Sequence, residues 1–239
     1  MDVCHIKCQK IHLREECEVK QMKTNKEWLL YQELRQERPE CFINNGQFTI
    51  LTDEFIVEAF EQQYCRTIGV VYESPFNLMV VDLVETPDGK RFAYERLIPA
   101  VSKGSVAAIP ICDGKLVLLN QHRHALRRKQ YAFPRGFAEA GSSPADNVIK
   151  ELQEELGATV KVSKQIGNII ADSGISDNEI SVFLCEVDKV ELKYQYEGIE
   201  SLIMLTEDEL IKWIANGQID DGITLAAFSL YQAHIKIEL

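Results

Sequence analysis

Hydrophobic and polar residues change their period several times along this chain, and the changes mark out its elements. Between Lys26 and Gln36, Trp28, Leu29, Tyr31 and Leu34 give a partly amphipathic helix, which Pro39 helps to end. A second helix is predicted from near Thr52, with Asp53 and Glu54 in its first turn to complement the dipole and Phe55, Ile56, Ala59 and Phe60 on one side. From Ile68 the pattern becomes strand-like, over 68–72, 77–85 and 91–98, and Pro87 with Asp88-Gly89 supplies the turn of a hairpin. So small a sheet is marginal alone and should pack on something. Further strands are predicted at 106–111 and 115–120 around the Asp113-Gly114 turn, then at 169–171, 180–186 and 202–205, with 121–130 read as a loop. Thr206 caps a helix from Glu207 to about Asn216 that Gly217 stops, and a last helix beyond Asp221-Gly222 carries Leu225, Ala226, Phe228, Leu230 and Tyr231. There is no internal repeat and no low-complexity segment.

The stretch from Gly136 to Gly157 adds chemistry to this pattern. Ser143 can cap a helix, Pro144 suits its first position, Asp146 completes a variant capping box, and Gly157 supplies a left-handed stop. Val148, Ile149, Leu152 and Leu156 form its apolar stripe, while Glu151, Glu154 and Glu155 fall at i, i+3 and i+4 on another face, where their carboxylates would converge. Like charges so spaced cost roughly 0.2–0.5 kcal/mol per pair, so a neutralising cation is a natural reason to keep them together. A solvated acidic face is the alternative reading. Oxygen-only ligands favour Mg²⁺ or Mn²⁺.

Composition narrows the function classes. With 46% hydrophobic and 26% charged residues the chain is ordinary for a globular protein, and its 239 residues suffice for one large domain or a domain with an appendage. A net charge of -11 argues against a broad surface for nucleic acid or anionic lipid, so a small anionic substrate would need a local basic pocket. Arg123, Arg127, Arg128 and Lys129 form the densest basic cluster, suited to phosphate or else simply solvated. No apolar run approaches the ~18–20 residues of a membrane span, and the first residues lack the apolar core of a secretion signal, so a cytoplasmic location is expected. Seven irregularly spread cysteines fit reduced thiols. Cys4, Cys8, His12 and Cys17 could hold a structural zinc, against the alternative of a polar helix or a poorly ordered terminus.

The segment 136–158 resembles the Nudix box, G-x5-E-x7-R-E-U-x-E-E-x-G-U with U aliphatic. Gly136, Glu151, Leu152, Glu154, Glu155 and Gly157 match it, with Ala158 a small substitute at the last position. Ser142 replaces the pattern's first glutamate and Lys150 its arginine, two residues that pair in the family and brace the loop against the helix. The Gln121-His-Arg123 and Phe133-Pro-Arg-Gly136 segments are similar to the ADP-ribose branch.

This resemblance, over roughly residues 70–235, implies an α/β (α+β) fold, an α/β/α sandwich around a mixed sheet. It implies a small antiparallel sheet that exchanges across a homodimer (67–100) and a hydrolase domain (101–239), preceded by residues 1–66, whose apolar spacing reads as a mainly helical extension. It implies Mg²⁺- or Mn²⁺-dependent hydrolysis of ADP-ribose or a related nucleoside diphosphate sugar, giving a nucleoside monophosphate and a sugar phosphate. Glu151, Glu154 and Glu155 are the expected metal ligands, with Glu154 either a third ligand or a partner of metal-bound water. Glu154 and Glu155 are counted with the catalytic residues. Arg123, Arg135, Gly136 and Arg96 are the expected substrate contacts, and Tyr94 shares the small sheet with Arg96. Glu197 is the candidate general base, with Glu200 and Glu179 as alternatives. Ser173 stands where the branch has a proline, which leaves other nucleotide sugars or dinucleotides open. A non-catalytic nucleotide sensor and a scaffold with a vestigial pocket are the competing functions.

Overall fold

The computed structural model describes residues 17–102, 104–192 and 198–238. The proposed zinc ligands Cys4, Cys8 and His12, and the candidate base Glu197, lie outside the described residues. The chain divides into two units, Met1–Leu97 and Ile98–Leu239.

In the first unit, α1 (Cys17–Glu37) starts well before the predicted Lys26. Its first part is rich in Lys, Glu and Gln, which form helix readily without an apolar stripe, so periodicity does not register them. A 3₁₀ turn (Pro39–Phe42) and a two-residue β1 (Thr49–Ile50) follow, both too short to carry a pattern. Asp53 caps α2 (Glu54–Tyr64) by accepting from the Ile56 N–H at 3.1 Å. Strands β2 (Gly69–Glu73), β3 (Asn77–Glu85) and β4 (Arg91–Pro99) lie close to expectation. β3 is the hub of this sheet, pairing with β1, β2 and β4. Val57, Phe60, Ile68, Val81 and Leu83 form the core, with Trp28 and Leu51 packed against it. A Cβ on Gly69 would lie 2.5 Å from the Glu27 carbonyl oxygen, so glycine is what lets β2 approach α1.

The second unit is built on β5 (Ser105–Cys112), β6 (Lys115–Arg123), β7 (Arg128–Ala132), β8 (Arg135–Gly136), α3 (Pro144–Leu156), β9 (Val160–Ile170), β10 (Glu179–Val187), β11 (Ile199–Leu205), α4 (Glu207–Ala215) and α5 (Gly222–Glu238). Its sheet runs β11-β6-β5-β10-β9, with β7 on β6 and β8 on β5. β5 and β10 are parallel and the other registered pairs antiparallel, so the sheet is mixed. Successive side chains of β5 and β6 alternate between two cores. Ala108, Val117 and Leu119 join Val148, Leu152 and Leu156 of α3, while Ile109, Leu116 and Leu118 join Leu210 of α4 and Ala227, Phe228 and Tyr231 of α5. This is the expected α/β/α sandwich. No helix among the described residues is long and apolar enough to cross a membrane.

Two elements differ from the pattern-based expectation. Residues 121–130, read as a loop, extend β6 and open β7 as a hairpin, in which Arg123 pairs with Arg128 and Gln121 with Gln130. Their charges hid the strand period. β9 was predicted only at 169–171 but spans Val160–Ile170. Its Lys161, Ser163, Lys164 and Gln165 suit a sheet edge, and a register shift opposite Val182 and Phe183 breaks the alternation a sequence reading relies on.

Candidate active site

The acidic helix is held at both ends as its residues dictate. Ser143 Oγ accepts from the Asp146 N–H at 3.1 Å and donates to Asp146 Oδ2 at 2.6 Å, and Gly157 closes the helix at φ 59°. Val148, Leu152 and Leu156 are buried as the stripe predicts, but Ile149 is 42% exposed and Asn147 is fully buried in its place.

Glu151 and Glu155 are half-buried, whereas Glu154 is 59% exposed with Oε1 3.9 Å from Lys150 Nζ. Among the described residues no three His, Cys, Asp or Glu side chains are gathered as a ready metal-holding group. The three acids share one helix without forming such a group, and like charges at these spacings repel unless a cation offsets them. A more specific feature is the seat of Glu151. A Cβ built on Gly136 would stand 1.9 Å from Glu151 Oε1, so this carboxylate occupies the room that the glycine leaves open. The donor set is oxygen alone and lies against a backbone loop, which suits a hard divalent cation. Glu151 and Glu155, one helical turn apart, are the residues that would hold it, with Glu154 at the rim.

The loop preceding the helix is tied to it twice. Asn147 Nδ2 donates to the Phe137 carbonyl at 2.7 Å and to the Gly104 carbonyl at 3.0 Å. Lys150 Nζ donates to Glu139 Oε1 at 2.5 Å, and that bond raises the lysine pKa. Ser142, at the position of the family's brace glutamate, makes local contacts, its hydroxyl donating to the Ser143 carbonyl at 3.4 Å and its N–H to the Glu139 carbonyl at 3.1 Å. The brace has therefore moved to Glu139. Neither Asn147 nor Glu139 was picked out in the sequence; an acid three residues after Gly136 and an asparagine on an otherwise apolar helix face were the available signals.

The basic residues are distributed among acids. Arg128 pairs with Asp220, which also accepts from Gln130 Nε2 at 2.9 Å; the Gln130 and Arg128 hydrogen bonds hold this carboxyl below its usual range. Lys129 pairs with Glu200 at 2.5 Å. Arg135 Nη1 donates to both oxygens of the buried Asp221, at 3.0 and 3.3 Å. Asp221 Oδ2 in turn accepts from the N–H and Oγ1 of Thr224, whose Oγ1 accepts from the Phe133 N–H at 3.0 Å. Asp221, which the sequence marks only as the start of the last helix, and Thr224 thus position the strand that ends at Gly136. Register pairs Val106–Gly136 and Ala107–Arg135 seat the same strand on β5. Arg123 is half-buried on β6, Glu179 accepts from Asn168 Nδ2, and Arg127 is exposed on the hairpin with Nη1 3.3 Å from His124 Nδ1.

Arg96 belongs to the first unit, where its guanidinium is engaged by protein groups. Nε donates to Asp82 Oδ2 at 2.5 Å and Nη1 to the Cys41 carbonyl at 2.8 Å, and the Phe42 ring centre lies 4.9 Å from Cζ. Asp82 also accepts from the Tyr31 hydroxyl at 2.5 Å. Tyr94, on the same strand, lies beside the Phe92 ring at 6.4 Å between centroids.

Comparison with known proteins supplies the family of this fold. The NUDIX domain family profile matches residues 102–227. The chain is 30% identical over 171 residues to an ADP-ribose pyrophosphatase of Bacillus subtilis, covering 68% of this chain and 91% of that protein. It is 27% identical over 179 residues to a methanol dehydrogenase activator of Bacillus methanolicus, covering 72% and 94%. The solved structure of an ADP compounds hydrolase superposes with a TM-score of 0.66 at 15% identity, covering 81% of this chain and 96% of that one, a likeness of fold. With the family profile spanning more than half its length and an acidic helix seated beneath its glycine loop, this chain belongs to the Nudix hydrolase family.

Proposed function

We propose that the chain hydrolyses the diphosphate bond of ADP-ribose or a related nucleoside diphosphate sugar, releasing a nucleoside monophosphate and a sugar phosphate. The observation that carries this reading is Glu151 seated against Gly136 on the helix that also bears Glu154 and Glu155. The names of the relatives supply the substrate class: an ADP-ribose pyrophosphatase, an ADP compounds hydrolase of Escherichia coli and an ADP-sugar pyrophosphatase of Mus musculus. Mg²⁺, or Mn²⁺ in its place, is the cofactor this reading assigns.

A diphosphate repels nucleophiles because of its own charge, and a bound divalent ion offsets that charge and acidifies water. The protein's part is to fix the acids and the phosphates. Glu151 and Glu155 would hold the cation, with Glu154 either a third ligand or a partner of the water it polarises. Arg123 and the Gly136 loop would face the phosphates, with Arg135 kept in register by Asp221; Arg96, the other expected contact, has its guanidinium engaged by Asp82 and the Cys41 carbonyl and would reach a nucleotide only by giving up those bonds. Glu197 is the proposed proton acceptor, with Glu200 or Glu179 in reserve. We assign Ser173, which stands where the branch has a proline, to the residues that select the sugar; it lies in a turn in which the Gly174 N–H donates to Asp172 Oδ1 at 3.1 Å. We assign residues 1–66 and 67–100 to an extension and a dimerising sheet, and 101–239 to the hydrolase domain.

The test is a panel of nucleoside diphosphate derivatives incubated with Mg²⁺ or Mn²⁺, with monophosphate release as readout. ADP-ribose or a close relative is expected to turn over, and Glu155→Gln to lower kcat roughly 10²–10³-fold, the cost of losing one electrostatic stabiliser. Tight binding without turnover by the unaltered chain would replace this reading with a nucleotide sensor.

A further inference from the structure

Because Glu151 fills the space beside Gly136, its carboxylate can keep its place only if the loop and α3 hold a fixed relation. Two contacts supply that relation. Asn147 lies one helical turn before Glu151, is fully buried, and donates both amide hydrogens to backbone carbonyls. One acceptor is Phe137, the residue after Gly136; the other is Gly104, at the entry to β5. Gly104 sits at φ 111°, and a Cβ there would come within 3.2 Å of Ala138 Cβ, so the same amide gathers three backbone segments at a close approach. Its Oδ1 is buried without a hydrogen-bond partner among the described residues, so what this side chain contributes comes through its two donated bonds. On the solvent side, Lys150, the residue before Glu151, holds Glu139 of the loop.

We propose that Asn147 is the positioning residue of this site, fixing the glycine loop over Glu151, and that the Lys150–Glu139 pair is its exposed counterpart. The proposal rests on the reading of the site as a metal-assisted diphosphate hydrolase. Asn147 touches neither metal nor substrate; it acts by setting where the Glu151 oxygens stand. Aspartate would keep the volume but lose both donors and turn a charge towards two carbonyl oxygens, so it is the more damaging substitution.

The experiment uses the full chain, with Mn²⁺ binding followed by electron paramagnetic resonance and steady-state kinetics on ADP-ribose with Mg²⁺. Asn147→Ala is expected to weaken Mn²⁺ binding by about 10–100-fold, as loss of an outer-sphere partner does, and Asn147→Asp by more. In both, kcat falls while KM for ADP-ribose holds. Variants that only melt earlier, with Mn²⁺ affinity unchanged in the folded protein, would overturn the proposal. Lys150→Gln alters an exposed pair whose loss costs the fold little, so it decides the matter if the Asn147 variants do not fold. Removing a cation from beside three acids would by charge alone tighten Mn²⁺ binding; the positioning role requires it to weaken, and tighter or unchanged binding refutes it. An unaltered chain that neither binds Mn²⁺ nor turns over any substrate removes the hydrolase reading, whereas intact binding and turnover with unaffected variants removes only the positioning role.

Discussion

Tyr31, Asp82 and Arg96 form a charged knot in the first unit, and burial makes each member depend on the others. Arg96 and Asp82 have side chains 16% and 3% exposed, so removing either would strand a desolvated charge, a loss of about 3–5 kcal/mol. Burial, and then the neighbouring Asp82, raises the Tyr31 pKa far above the ordinary phenolic range. A group whose folded pKa is raised contributes its stability fully below the unfolded value, about 10 for tyrosine, and loses it as pH rises further. The urea midpoint of the wild type should therefore fall as pH climbs above about 10, while Tyr31→Phe loses this pH-dependent component. At neutral pH the same variant should be less stable by roughly 1.5–3 kcal/mol, for the lost hydrogen bond to a charged acceptor. Equal alkaline slopes in the two proteins would contradict this account.

Among elements, the residues at the start of α5 are tied to β7 and β8 by polar contacts near the glycine loop. Asp220 receives Gln130 and Arg128, while Asp221 receives Arg135 and caps α5 through Thr224. The Asp220 carboxyl titrates below its usual range, so its contribution is present above the unfolded value of about 3.9 and is lost as pH falls through the lower folded one. Protection factors in Arg128–Ala132, taken relative to the intrinsic exchange rate at each pH, are thus expected to fall in Asp220→Asn at neutral pH, and in the wild type only under acid conditions. Protection identical in the two proteins at pH 7 would show that the hairpin is held by its backbone ladder alone.

At the scale of the whole molecule, the proposed function requires that a cation held by Glu151 and Glu155 bind the folded chain and not the unfolded one. At one hundred times its dissociation constant such a ligand adds about 2.7 kcal/mol. For a chain of this size each kcal/mol moves Tm by about 2–4 °C, so saturating Mg²⁺ should raise the wild-type melting temperature by several degrees. Glu151→Gln and Glu155→Gln should lose most of that increment, and a Mg²⁺ shift as large in both variants would place the ion elsewhere. Ordinary surface acids would give no such pattern, since one exposed carboxylate substitutes readily for another.

What the amino-acid order determined by itself was local. Ser143, Pro144 and Gly157 delimit α3, and the three glutamates at one-turn spacing mark its chemistry, because capping and helical period depend only on near neighbours. The β3 strand, Asn77–Glu85, was legible for the same reason. What only the tertiary structure decided was which distant groups meet. Glu139 rather than Ser142 faces Lys150, an asparagine on the helix reaches Gly104, and Asp220 and Asp221 take arginines 92 and 86 residues away. β9 escaped the pattern because a register shift and an edge position removed the alternation by which strands are recognised. Periodicity reports the face on which a residue lies; the partner it finds there is set by how the chain closes on itself, and in this protein those partners hold the acidic helix and its glycine loop together.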